Sequence, residues 1–142
     1  MSYKRVKSLK NDIEYGLNAE KDVIKKLCDY FDEVILKNTF QYSIYDAKCK
    51  QTQTNYEIKS RRNCKKKYPT TIVSYNKIMK KQENEKLIFV FQFTDGLYFI
   101  EYNPKLFSTF EIQDIIYYRE GVSPKPVKHI CIPVNLLLEI EI

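Results

Sequence analysis

Along the first quarter of the chain, Ile13, Leu17, Ile24, Leu27 and Phe31 recur at helical spacing, with Glu20 standing in the same series. Steps of three and four predict an amphipathic helix. Val34 to Lys37 reads as a short strand, and the alternation through Phe40, Tyr42, Ile44 and Asp46 predicts a second one. A polar loop over 47–54 leads to Tyr56-Glu57-Ile58-Lys59-Ser60, a third strand of period two. Pro69 and the two threonines after it mark a helix start, with the helix expected over 72–86. Leu87 to Phe93 is an almost unbroken apolar run, as a buried strand requires. Thr94-Asp95-Gly96 is a turn signal, and Leu97 to Tyr102 returns as the hairpin partner. Beyond Pro104 the pattern weakens to a short helix or turn within 104–114, strands near 115–119 and 127–132, and a turn of helix over 135–139. Helix, three strands, helix, two strands predicts an α/β fold on a single mixed β-sheet flanked by helices.

A length of 142 residues suits one domain over 1–142, with a core at about 12–102 and a C-terminal extension, 103–142, closing the sheet. No repeat or Pro/Gly/Ser-rich linker divides it. Residues 1–10 are basic with no apolar core behind them, and no apolar run reaches membrane-spanning length, so no membrane partner is expected. The four cysteines, at 28, 49, 64 and 131, form no Cys-x-x-Cys, and a single histidine, His129, cannot complete a usual zinc site. Reduced thiols and a soluble intracellular protein, in cytoplasm or nucleus, are the expectation. One histidine in an apolar strand also argues against serine- or cysteine-hydrolase chemistry. Three glycines leave no room for a phosphate-cradling loop. No heptad or isolated apolar patch points to a homodimer.

Charge changes this picture more than composition does. The net charge is +6, but residues 1–86 carry +9 and residues 87–142 carry −3. The basic peak is Lys59, Arg61, Arg62, Lys65, Lys66 and Lys67. Such a peak favours a polyanion, most simply nucleic acid, although a run of lysines also serves as a solvated loop. Twenty of the 24 basic residues are Lys, and Ala occurs twice, a bias that suits an AT-rich genome, a viral one included, and discounts part of the lysine signal.

Three acidic residues stand out, although Glu57-Ile58-Lys59 taken alone is also what an ordinary solvated strand face would show. Glu20 lies in the apolar seam of the first helix, where a carboxylate is costly unless paired, protonated or bound to a cation. Helix rotation would instead hand the seam to Val23 and leave Glu20 at its edge. Glu57 and Lys59 are two apart in a strand and share a face. Asp46 ends the stripe of Phe40, Tyr42 and Ile44, and the loop after it brings Glu57 back beside it. Two carboxylates at one spot repel unless a divalent cation lies between them, and Mg²⁺ prefers oxygen ligands with retained waters. A neighbouring Lys would hold a water or stabilise charge growing on phosphorus.

This constellation resembles the PD-(D/E)XK nuclease superfamily, whose restriction-endonuclease-like core has the order αβββαβ. The resemblance covers about residues 12–102. Gly16-Leu-Asn-Ala-Glu20-Lys-Asp-Val23 matches the Gly-x-x-x-Glu-x-x-Val of its first helix. Asp46 matches the acidic residue of the motif, and Glu57-Ile58-Lys59 matches (D/E)XK. The proline that often precedes the acidic residue is Tyr45 here. The resemblance implies that Asp46, Glu57 and the backbone carbonyl of Ile58 hold Mg²⁺, with Mn²⁺ as substitute, and that Glu20 supports the metal or its water. It gives Lys59 the attacking water to orient. Relatives often supply an auxiliary Lys or Gln from the next helix, where Lys77 stands. Arg61, Arg62, Lys65, Lys66, Lys67, Tyr75 and Lys77 are then the candidate nucleic-acid contacts.

The expected function is a metal-dependent nuclease acting on DNA through activated water. Its alternatives are a non-catalytic nucleic-acid-binding domain on the same fold, and an interaction protein whose basic loop docks an acidic partner.

Overall fold

The computed structural model describes residues 20–40, 42–118 and 120–141. Helix α1 spans 20–31 within them, while Ile13, Gly16 and Leu17 of the expected helix lie outside the described residues. Val23 and Leu27 are fully buried, with Ile24 and Phe31 partly buried, so one face of α1 is pressed on the sheet. Asp32 ends the helix with φ of 52°, a left-handed conformation that aspartate tolerates better than most side chains.

The described strands are β1 (Leu36–Lys37), β2 (Ala47–Cys49), β3 (Thr54–Ser60), β4 (Thr70–Ser74), β5 (Lys86–Phe93), β6 (Gly96–Glu101), β7 (Ile112–Ile116), β8 (Pro126–Pro133) and β9 (Leu138–Glu139). Two short helices, α2 (Tyr75–Met79) and α3 (Pro104–Phe107), complete the set with 3₁₀ turns at Lys65–Lys67 and Val134–Leu136. The α/β character and the mixed sheet are as the sequence predicts. Six strands run β1-β2-β3-β5-β6-β9, with β3 and β5 parallel and every other neighbouring pair antiparallel. A second, three-stranded antiparallel sheet, β4-β8-β7, joins it.

That second sheet explains the main departures. A helix over 72–86 is not formed: Thr70–Ser74 is a strand, and only Tyr75–Met79 is helical. Thr71, Ile72 and Val73 are β-branched, and β8 supplies the ladder that lets them stay extended. The strand expected over Phe40–Asp46 is also absent. Ser43 N–H donates to Phe40 O (3.0 Å), closing a turn, and the strand begins at Ala47 inside the expected loop. The last segments are shifted but recognisable, with β7 earlier than expected and a 3₁₀ turn followed by β9 at 134–139.

The large sheet has apolar packing on both faces. Tyr56, Ile58, Ile88 and Val90 pack with α1, while Phe89, Phe91 and Phe93 pack with Val73, Ile130 and Ile132 of the small sheet. Burial on both sides is why β5 reads as a continuous apolar run. Glu57 and Lys59 alternate with Tyr56 and Ile58, so their side chains face the small sheet and α2. Among the described residues no helix is long and apolar enough to cross a membrane.

Candidate active site

Backbone register assembles the acidic residues. Ala47 pairs with Tyr56, and Asp46 extends that ladder: its N–H donates to Tyr56 O at 3.1 Å. Asp46 therefore stands across from Glu57. Asn38 fixes the approach, its N–H donating to Asp46 O (2.8 Å) and its Nδ2 to Tyr45 O (2.9 Å). The Asp46 carboxylate turns back to β3, where Oδ2 accepts from the Ile58 N–H at 2.7 Å.

Glu57 is the centre of the arrangement. Its side chain is 2 % exposed, and Oε2 lies 3.2 Å from Lys59 Nζ and 3.4 Å from Lys77 Nζ. Oε1 is buried with no hydrogen-bond partner among the described residues. Burial and the charge of Asp46 push the Glu57 carboxyl up to about 6, against the pull of Lys59 and Lys77. An orphaned, buried carboxylate oxygen is expensive, because the water it gave up is not replaced.

Lys77 reaches this point from α2, itself hung on β4. Its Nζ also donates to Ile44 O, while Tyr45 OH donates to Lys77 O at 2.6 Å. The Tyr45 ring lies 6.0 Å from the Lys77 ammonium, and burial beside Glu57 and Glu85 pushes its phenol up to about 12. Glu20 sits at the edge of the α1 seam, which Val23 fills. Its Oε1 is 3.7 Å from Lys37 Nζ, and burial first, then Asp46, raises its pKa, with Lys37 opposing. Helix rotation and a polar role thus coexist: Val23 packs, and Glu20 is close enough to feel Asp46.

The donor set fits a hard divalent cation. Oε1 of Glu57 has no hydrogen-bond partner among the described residues, and Asp46 adds a second carboxylate beside it. Among the described residues no three His, Cys, Asp or Glu side chains gather closely enough to hold an ion by themselves. One or two carboxylates completed by water and substrate phosphate is the habit of Mg²⁺.

The basic residues divide. Arg62, Lys66 and Lys67 are exposed beyond the carboxyl end of β3. Lys65 is partly covered: its N–H donates to Asp95 Oδ1 (2.9 Å) and its ammonium lies 4.7 Å from the Tyr98 ring. Arg61 turns inward instead, with Nε donating to Thr71 Oγ1 (3.3 Å), Nη2 to Ile72 O (2.6 Å), and its guanidinium 5.9 Å from the Phe91 ring. It ties the large sheet to the small one. Tyr75 packs with the apolar residues between the two sheets and lines a cavity of about 130 Å³ with Ile78, Tyr102 and Phe107. Asn38 and Tyr45 are the positioning residues that sequence reading does not single out. Tyr45 carries a weak signal, standing where the motif often has proline, and Asn38 carries none.

The family model described as "Phage putative PDDEXK endonuclease" matches residues 11–115. That span contains Glu20, Asp46, Glu57, Lys59 and Lys77. No curated protein and no solved structure matches the chain. A nuclease family implies a nucleic-acid substrate, and nucleases of this kind generally use divalent metals.

Proposed function

The chain belongs to this PDDEXK endonuclease family, and from that membership we propose that it is a Mg²⁺-dependent nuclease hydrolysing DNA phosphodiester bonds. The observation that carries the proposal is the buried Glu57 carboxylate opposite Asp46, with Oε2 against two ammonium groups and Oε1 without a hydrogen-bond partner among the described residues. Asp46, Glu57 and the main-chain carbonyl of Ile58 would hold the ion, with Mn²⁺ as a substitute and Glu20 at its periphery. When bound, the ion polarises the phosphate and lowers the pKa of a water.

The chain's own residues supply the rest. Lys59, half-buried beside Glu57, orients the attacking water and meets negative charge growing on the phosphate oxygens. Lys77 shares Oε2 of Glu57 with it, its position fixed by Ile44 and Tyr45. Asn38 keeps Asp46 in register. Arg62, Lys66 and Lys67 meet flanking phosphates and set the register of the strand rather than its sequence. Arg61 serves the fold.

Nicking of supercoiled plasmid in Mg²⁺ or Mn²⁺ tests this. Cleavage should vanish with chelator and fall by about a thousandfold or more in Glu57→Gln. DNA binding with no cleavage under any divalent cation would favour the non-catalytic binding domain. Cleavage that survives both chelator and Glu57→Gln would refute the site.

A further inference from the structure

Phe40 and Tyr42 are 70 % and 76 % exposed, in a protein whose other phenylalanines, among the described residues, are buried or half-buried. Their rings meet edge-on, with centroids 5.8 Å apart and planes at 67°, which leaves ring faces open to solvent. Hydrogen bonds anchor the described residues on either side of them. The Ser43–Phe40 hydrogen bond closes a turn, and Asn38 clips the far end of the loop at Tyr45 and Asp46. The loop is also continuous with the site: Ile44 O accepts from Lys77 Nζ, and Tyr45 OH donates to Lys77 O.

Strand direction fixes where this loop lies. β2 is antiparallel to β3, and β3 is parallel to β5, so the loop before Ala47 lies at the carboxyl end of β3. The turn with Lys66 and Lys67 leaves from that same end, anchored by Lys65 N–H to Asp95 and by Thr94 N–H to Asn63 O (3.1 Å). Across one end of the sheet the order is exposed aromatic rings, the carboxylates, exposed lysines. A polyanion alone would need only the lysines, and an apolar partner only the rings. A nucleic-acid strand with unpaired bases offers partners to both, because bases stack on aromatic faces and phosphates meet the ammonium groups.

We infer that Phe40 and Tyr42 form a stacking platform for unpaired bases beside the site, so that the preferred substrate presents a single-stranded segment there. This rests on the nuclease reading for the word substrate, and on the exposed rings for the binding. The platform reads no base identity, since every base has a face to stack.

Fluorescence anisotropy in chelator, where a metal-dependent nuclease does not cut, separates the two ideas. The probes are a labelled thymidine oligonucleotide, an abasic strand of equal length and the matching duplex. The protein should hold the thymidine strand about tenfold or more tighter than the abasic one. Phe40→Ala/Tyr42→Ala should bring the two strands to equal affinity, and Phe40→Trp/Tyr42→Trp should keep the preference. Equal affinities in the unaltered protein, or a preference that survives the double alanine variant, overturn the inference. Tight duplex binding with no preference for bases over abasic sites overturns it alone. Binding to none of the probes overturns it as well, while the nuclease reading stands or falls on plasmid cleavage in Mg²⁺ or Mn²⁺. A base preference without plasmid cleavage in Mg²⁺ or Mn²⁺ leaves the platform standing and removes the nuclease.

Discussion

Tyr56 and Glu57 are neighbours on β3, 0 % and 2 % exposed, and they face opposite sides of the same sheet. On the α1 side, Tyr56 packs near Phe31 and its hydroxyl donates to Glu33 Oε1 at 2.5 Å. Ile58, two residues on, belongs to the same apolar cluster. On the other side, Glu57 keeps one oxygen against two ammonium groups and the other without a partner among the described residues, next to Phe89 on β5. One face spends its burial on stability, while the other holds an electrostatic deficit. The two-residue period of a strand makes this division possible without separating the two functions in sequence.

Substitutions that act on one face only would break or sharpen that contrast. The largest effect is expected for Lys59→Met, which should lower the cleavage rate by about 10²–10⁴-fold, far more than the loss of its ion pair with Glu57 lowers the thermal midpoint. Ile58→Ala, which retains the backbone carbonyl, should cost about 2–5 kcal/mol in urea unfolding and leave the metal requirement as it is. Glu57→Gln should stabilise the metal-free protein at pH 7 by about 2 kcal/mol, since its carboxyl is raised from an ordinary 4.5 to about 6. A carboxyl whose folded pKa is raised binds its proton more tightly in the folded state. Its destabilising effect is therefore present in full above pH 6 and relieved as pH falls through 6 toward 4.5. The gain from glutamine should fade over that window, and a gain that is flat in pH would show that burial is not its origin. Tyr56→Phe should be the mildest, costing about 1 kcal/mol for one hydrogen bond and leaving cleavage within twofold.

How much of this was legible depends on how local the determinants are. α1, β5 and the β5–β6 hairpin follow from periods and turn residues contained in their own segments. The convergence of Asp46 and Glu57 was legible too, although the reason differed: Phe40–Asp46 is not a strand, and Asp46 reaches its place through Asn38 and the first pair of β2. Lys77 stands on a helix, as its segment predicts, but that helix spans only Tyr75–Met79. The helical reading of 72–86 failed because β4 is held by β8, and no pattern within 70–86 reports a partner more than fifty residues away. Arg61 could not be told from Arg62 by composition, since only the fold turns one inward to Thr71 and Ile72. The exposed rings of Phe40 and Tyr42 were hidden for the same reason, because alternation suggests a buried stripe where the backbone in fact turns.

The pairing of β4 with β8 also sets an order of events during synthesis. Lys77 rides on α2, which continues directly from β4, and β4 has no ladder partner until residues 126–133 follow about fifty residues later. A chain ending before residue 126 would contain Asp46, Glu57 and Lys59 but lack the ladder partner of β4, on which α2 and Lys77 hang, so the surroundings of Glu57 depend on the last strands to be synthesised.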